Sequence, residues 1–185
     1  MPELDFTHAS DLCVSCGLCC EGAVYERVPI EPEEFGSAVS LGLPITMDLH
    51  GVCFSLPCPR LEDKCCTVYE SRPARCRDFY CKTAKELICG EISRDVAFAR
   101  VGEANARAQR LLGALAGESI PEYRKRREDA FERGEALERT AARDCLVALD
   151  EILDRDFRKP EQNRTKRYDE IEGRADTSGQ AADVA

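Results

Sequence analysis

Cysteine is the residue type in this chain with the greatest capacity for chemistry. The chain has 185 residues, twelve of them cysteine, and eleven of these lie between Cys13 and Cys89. Four form the run Cys13-x-x-Cys16-x-x-Cys19-Cys20. Two thiolates on either side of a two-residue spacer can face one point, so C-x-x-C is a common metal-binding unit. The run repeats that unit with Cys16 shared, and it predicts a metal-binding loop.

The fourth cysteine of this run is unusual in its position. Three thiolates on one short loop resemble the way bacterial ferredoxins surround a four-iron cluster, where the fourth cysteine comes three residues later and precedes a proline. Here Cys20 follows Cys19 directly, and no proline comes next. Adjacent residues rarely reach one ion from the same side. We therefore expect Cys20 either to serve a second metal or to replace one of the other three.

A second set of cysteines lies further along the chain and can supply remote ligands. A hairpin holding Cys58 and Cys66, followed by a turn holding Cys76, would bring these thiols together. Residues 13–89 carry few large apolar side chains, so we expect a metal–thiolate centre to stabilise this half. Structural zinc contributes on the order of 10 kcal/mol in peptides, which exceeds the stability of many domains.

The overall composition limits the compartment and the partners. The chain starts Met1-Pro-Glu-Leu-Asp-Phe6 without a basic or apolar leader, so we expect a cytoplasmic protein. In reducing cytosol, dense cysteine favours metal or redox chemistry over a disulfide scaffold. No run approaches a membrane span. The net charge of −9 is unfavourable for binding nucleic acid, and we expect a protein partner instead.

Taken together, the two cysteine stretches resemble the YkgJ-type CxxCxxCC family, which is described as a zinc- or iron-chelating domain. The first motif matches in full, and the second matches from Cys58 and then over Cys66-x-Val-Tyr-Glu-x-Arg-Pro-x-x-Cys76-Arg-Asp-Phe79. The similarity covers roughly residues 10–90. It implies metal chelation by Cys13, Cys16, Cys19, Cys20, Cys58, Cys66 and Cys76, with Cys81 as the eighth ligand.

Other residues in this region have open roles. Cys53, Cys65 and Cys89 go beyond the family pattern and could each be a ligand, a spare thiol or a redox partner. Arg72, Arg75 and Arg77 flank Cys76 and could offset thiolate charge, with Arg77 favoured for this role. Alternatively, these arginines could lie on a solvated turn and pair with neighbouring carboxylates.

The segments after the cysteine region are predicted to be helical. Ser93 is a candidate N-cap for a helix over residues 93–116, whose apolar residues recur at three- and four-residue steps. Ser119-Ile-Pro-Glu122 has the form of a capping box. A second helix is expected to run to about Phe157, with a break near Gly134 and an apolar face formed by Leu137, Ala141, Cys145, Ala148, Leu149, Ile152 and Leu153. The run from Arg124 to Arg127 is predicted to be a solvated helix face.

These patterns predict an α+β fold that is mainly α. Residues 10–92 form a loop-rich, metal-nucleated region with short strands over Val24–Ile30, Val52–Leu56 and Thr67–Tyr69. Residues 93–157 form a C-terminal helical pair packed on it. Residues 158–185 are expected to be a disordered tail.

Three functional hypotheses follow from the sequence. The first is an iron–sulfur or oligonuclear iron protein that moves electrons or assists a modifying enzyme. The second is a structural zinc module in which closed four-thiolate sites present the helices to a partner. The third is an enzyme, motivated only by the surplus of cysteines, because no catalytic constellation is visible.

Overall fold

A computed structural model gives the structure of this chain and describes residues 6–48, 51–135 and 140–165. The predicted fold class is confirmed: the structure is mainly α-helical with small antiparallel sheets. The helices are α1 Phe6–Cys16, α2 Phe35–Ser40, α3 Ala74–Asp78, α4 Lys82–Ile88, α5 Arg94–Ala114, α6 Ile120–Glu132 and α7 Ala141–Asp156. The strands are β1 Arg27–Pro29, β2 Ile45–Asp48, β3 Gly51–Ser55, β4 Leu61–Glu62 and β5 Cys65–Cys66.

The C-terminal helices begin where the capping residues predict. The Ser93 side chain accepts the backbone N–H of Val96 at the start of α5. Ser119 and Glu122 form the capping box of α6, with both reciprocal hydrogen bonds present. The chain leaves α6 at Gly134, which has a φ of +71°. The second predicted helix is therefore two helices, α6 and α7. Leu137 lies outside the described residues.

The main core is built from both halves of the chain. Helix α5 packs against α7, and α1 packs against α4 and α5. Buried residues from the cysteine region pack in the same core as the C-terminal helices. They are Leu12, Cys16, Leu18, Ala23, Val24, Ala84 and Leu87. The cysteine loop is thus attached directly to the helices.

Helix α1 was not predicted from the sequence. It buries Ala9, Leu12 and Cys16, which is a helical spacing of three and four residues. Two of its three buried positions are small, so the apolar signal is weak. Cys13 and Cys16 consequently lie on the last turn of a helix, whereas the sequence suggested a loop.

A smaller sheet forms a second core. Strand β3 lies between β1 and β2 and is antiparallel to both. Strand β1 is shorter than the predicted Val24–Ile30, and β3 is shifted by one residue from the predicted Val52–Leu56. Their inward side chains join Ile30, Ala38, Leu43, Phe54 and Leu56 in a compact cluster.

The strand predicted over residues 67–69 is wrong. Strands β4 and β5 form a hairpin of two residue pairs, closed by a tight turn in which Asp63 and Lys64 both have positive φ. Thr67 then donates its backbone N–H and its hydroxyl to the Arg60 carbonyl, at 2.9 and 3.1 Å. These bonds end the hairpin, and a 3-10 turn follows at Tyr69–Ser71.

Two expectations about charged segments also need correction. Arg124 is not on a solvated face: only 2% of its surface is exposed. Residues 158–165 are ordered, with Arg158 buried and a 3-10 turn at Pro160–Gln162. The remainder of the predicted tail, residues 166–185, lies outside the described residues. Over the part of the chain that the structure describes, no helix has both the length and the apolar character needed to cross a membrane.

Candidate metal centre

The first cysteine run occupies the end of α1 and a compact turn after it. Gly17 ends the helix with a φ of +70°, a conformation that glycine adopts without steric cost. The turn closes through backbone hydrogen bonds from Glu21 to the Gly17 carbonyl at 3.0 Å and from Ala23 to the Leu18 carbonyl at 2.9 Å. Cys19 and Cys20 therefore lie on a turn whose backbone is fixed at both ends.

Cys81 reaches this turn from a different element. It is the N-cap residue of α4, and its Sγ accepts the backbone N–H of Ala84 at 3.4 Å. Because α4 packs against α1, the thiol lies near the first run. Cys13, Cys16 and Cys81 all interact electrostatically with Cys19. We name these four residues, Cys13, Cys16, Cys19 and Cys81, the first thiol group.

A separate set of thiols surrounds Cys20. Its carbonyl accepts the backbone N–H of Cys58 at 2.8 Å, which joins the turn to the segment leading into the β4–β5 hairpin. Cys66 lies on β5, and Cys76 lies on α3. The thiols of Cys58, Cys66 and Cys76 all act on that of Cys20, as does the thiol of Cys13, and Cys20 in turn acts on Cys19, so the two groups adjoin each other. We name Cys20, Cys58, Cys66 and Cys76 the second thiol group.

Burial, together with repulsion from nearby thiols, raises the pKa of several of these cysteines. Burial, followed by nearby thiols, raises the pKa of Cys20 to about 12 and that of Cys76 to about 11. Burial also raises the pKa of Cys16 to about 12 and that of Cys81 to about 11. The pKa of Cys19 lies well above its ordinary value for the same reasons. A bound cation reverses this balance, because a metal-coordinated thiol loses its proton.

The two groups rest on different parts of the molecule. Cys16, Cys19 and Cys81 contact the main core formed with the C-terminal helices. Cys58 and Cys76 contact the smaller core under the sheet. Cys19 thus contacts the main core, whereas Cys20 is joined through its carbonyl to Cys58, which contacts the smaller core.

The remaining cysteines lie outside both groups. Cys53 is buried in β3, with its Sγ 3.1 Å from the Thr46 hydroxyl. Cys65 and Cys89 are exposed. Cys145 packs on the main core, as predicted. Among the described residues, no set of three or more His, Cys, Asp or Glu side chains stands in an arrangement that could hold a metal ion, so a metal centre here requires the thiols of a group to move closer together.

One arginine acts on a cysteine of each thiol group. The Arg72 guanidinium counteracts the raised pKa of Cys13 in the first group and of Cys76 in the second. It stacks on the Tyr69 ring with Cζ 3.5 Å from the centroid. Its Nε is buried and has no hydrogen-bond partner among the described residues. A buried donor without a partner, beside several thiols, fits a site that takes negative charge.

The two other arginines near Cys76 have different contacts. Arg77 donates to the Arg72 carbonyl at 2.7 Å, and Arg75 pairs with Glu31 at the surface. Arg60 lies near Cys58 and counteracts the rise in its pKa. The flanking charges alone favoured Arg77 over Arg72 for the role beside the thiols. In the sequence, the tyrosine three residues before Arg72 is the signal that could have indicated this arginine, because a tyrosine ring can form a cation–π contact.

Comparisons with known proteins give no relative for this chain. No protein-family model matches it, and no curated protein or solved structure is significantly similar. The resemblance to the CxxCxxCC family therefore stays a prediction that rests on the two cysteine motifs.

Proposed function

We propose that this chain is a metal-chelating cysteine-cluster protein whose two thiol groups hold an iron–sulfur or oligonuclear iron centre. The observation that supports this is the meeting of the two cysteine motifs, which contain eight cysteines: the Cys58 backbone N–H donates to the Cys20 carbonyl at 2.8 Å. The eight come from the two motifs in the sequence, and the four remaining cysteines lie elsewhere. When bound, such a centre supplies one-electron redox chemistry, either for electron transfer or as an accessory to a modifying enzyme.

The donor chemistry of both groups suits a soft or borderline metal. Thiolates are the ligands of iron–sulfur clusters and of zinc. Eight thiolates would carry a large negative charge in a partly buried site. Arg72 and Arg60 would offset part of it, and a sulfur that approached the buried Arg72 Nε would meet a donor without another partner among the described residues.

The first thiol group supports iron most directly. It combines three cysteines at two-residue spacings with one remote cysteine, the pattern by which many proteins hold a four-iron cluster. Helix α1 fixes two of the thiols, the turn fixes the third, and α4 fixes the fourth. The chain's role in this proposal is to position the thiolates and to limit their contact with water.

The number of thiols favours a second candidate, a structural zinc module. Four thiolates complete a tetrahedral zinc site and leave no open position for chemistry. A site at the second thiol group would fix the hairpin and α3 to the turn. A site at the first would fix α4 to it. The helices would then be presented to a partner protein.

The deciding experiment is metal and sulfide analysis of protein made anaerobically, with Mössbauer spectra of iron-57-labelled material. Bound iron with acid-labile sulfide supports the iron–sulfur centre, and iron without sulfide supports an oligonuclear iron centre. Two tightly held zinc ions and no iron support the zinc module. A metal-free chain that still folds cooperatively would exclude both candidates. Cys89→Ser, an exposed thiol outside both groups, is the matched control for Cys→Ser changes in either group.

A further inference from the structure

Two buried arginines from the C-terminal helices bind the backbone that follows the cysteine turn. Arg124 of α6 and Arg158, after α7, are only 2% and 1% exposed. Both guanidinium groups donate to main-chain carbonyls of residues 22–24. Buried arginines at such positions are rare unless paired, so their partners are informative.

The contacts of Arg124 connect the turn to α7. Its Nη1 donates to the carbonyls of Gly22 and Ala23 at 3.3 and 2.9 Å. Its Nη2 pairs with the fully buried Asp150 carboxylate. One guanidinium thus binds two consecutive carbonyls of the turn and one carboxylate of the helix.

Arg158 binds the same stretch of backbone as Arg124. Its Nε donates to the Val24 carbonyl at 3.1 Å, and its Nη2 donates to the Ala23 carbonyl at 3.0 Å. Its Nη1 lies 2.8 Å from carboxylate oxygens of both Asp150 and Asp154. Two arginines and two aspartates make this buried network electrically neutral.

The network acts on backbone only two residues beyond Cys20. Gly22 has a φ of +78°, and a Cβ there would lie 2.4 Å from Cγ of Pro121 on α6. The turn is therefore pressed against the helix that carries Arg124. Within the turn, the Gly22 N–H donates to the Cys19 carbonyl at 3.2 Å. A shift of residues 22–24 would therefore move the turn that carries Cys19 and Cys20.

We propose that Arg124 and Arg158 are positioning residues for the proposed metal centre, which fix the backbone of the turn that carries Cys19 and Cys20. This inference rests on the proposed metal-binding function. Direct substitution of residues around metal ligands lowers metal affinity by about ten- to a hundredfold. We expect an effect of that size from the arginines, although neither contacts a thiol.

The test uses the full chain loaded with cobalt(II), whose thiolate charge-transfer and ligand-field absorption report on site geometry. The variant combines Arg124→Met with Asp150→Asn, which removes one charge of each sign and leaves Arg158 paired with Asp154. We expect α-helical circular dichroism to be retained. The cobalt absorption should change, and release of cobalt to a chelator should be about ten- to a hundredfold faster.

The matched control combines Arg126→Met with Glu118→Gln. These two residues, Arg126 on α6 and Glu118 just before it, form an ion pair at 2.7 Å. The double substitution removes the same charges without touching the turn. A network that only stabilised the helices would lower the melting temperature and leave the cobalt spectrum unchanged. An unchanged spectrum together with control-like release would overturn the proposal.

A milder variant, Arg124→Lys, decides the matter if the double variant does not fold. Lysine keeps the charge beside Asp150, but its single nitrogen cannot reproduce the fork that reaches two carbonyls and a carboxylate together. Accelerated cobalt release in this variant supports the proposal, and wild-type release overturns it. A wild-type chain that binds no metal would instead exclude the proposed function, and with it this inference. The two failures are therefore distinguishable.

Discussion

Replacing Gly22 with alanine should be one of the most destabilising single-methyl changes in the chain. The residue has a φ of +78°, and the left-handed region costs a residue with a Cβ about 1–2 kcal/mol. The new methyl would also lie 2.4 Å from Cγ of Pro121 and 3.2 Å from Cβ of Leu56. A proline ring cannot rotate away, so overpacking adds about 1–3 kcal/mol. The expected loss in the free energy of unfolding is about 2–5 kcal/mol.

Urea denaturation followed by circular dichroism measures this loss, with metal loading held constant. Gly113→Ala is the matched control, because Gly113 lies inside α5 and an added Cβ there would have no neighbour within 4 Å. That change should stabilise the protein by up to about 1 kcal/mol, since alanine has the higher helix propensity.

A third variant separates the two causes. Pro121→Ala in the Gly22→Ala background removes the ring atoms and should recover the overpacking part of the loss, but not the backbone part. Gly22→Ala protein as stable as the wild type would refute the close approach between the turn and α6. A loss that Pro121→Ala does not reduce, in a double-mutant cycle, would refute the clash and leave only the backbone strain.

Three further predictions follow from the site and the caps. Cys19→Ser and Cys20→Ser should each remove metal from a different thiol group, so each single variant keeps about half of the bound metal and the double variant keeps none. Elemental analysis measures the metal that remains. Equal spectra from the two single variants would contradict this prediction. The metal-free protein should lose stability as the pH rises from 9 toward about 12, because thiols such as Cys16 ionise near their ordinary pKa of 9.0 in the unfolded chain but only near 12 in the fold, at about 1.4 kcal/mol per pH unit for each thiol. The metal-loaded protein should show little such loss, and unfolding curves at several pH values that fall equally in both forms would count against bound thiolates. Ser119→Ala should cost about 1 kcal/mol through loss of the α6 N-cap, measured by thermal unfolding, whereas a stability unchanged from wild type would show that the capping box with Glu122 contributes little.

The features that the sequence predicts well are those decided by neighbouring residues. Ser93 caps α5 and Ser119 caps α6 because a side-chain oxygen meets a backbone N–H three residues later, a purely local event. The break after α6 follows in the same way from Gly134. Adjacency alone predicts that Cys20 serves a second metal or replaces one of the other three cysteines of the run, and this stays a prediction.

The features that the sequence misses depend on distant partners. Arg124 lies in a run of four basic residues, which resembles a solvated surface, and it is buried only because Asp150 and the carbonyls of the turn surround it. The strand expected at residues 67–69 failed because the tight turn at Asp63 and Lys64 fixes a very short hairpin. Helix α1 was missed because two of the three residues on its buried face are small.

The contacts of Arg158 also constrain when the protein can finish folding during synthesis. Its guanidinium binds carbonyls of Ala23 and Val24, which lie 135 and 134 positions earlier in the chain. Contacts of such long sequence separation form late and slow the folding of a chain. A ribosome extends the chain from the N-terminus at about 5–20 residues per second, so the cysteine turn emerges several seconds before the arginine that holds it. The nascent N-terminal half must therefore wait, with its thiols not yet held in place, until almost the whole described chain has been made.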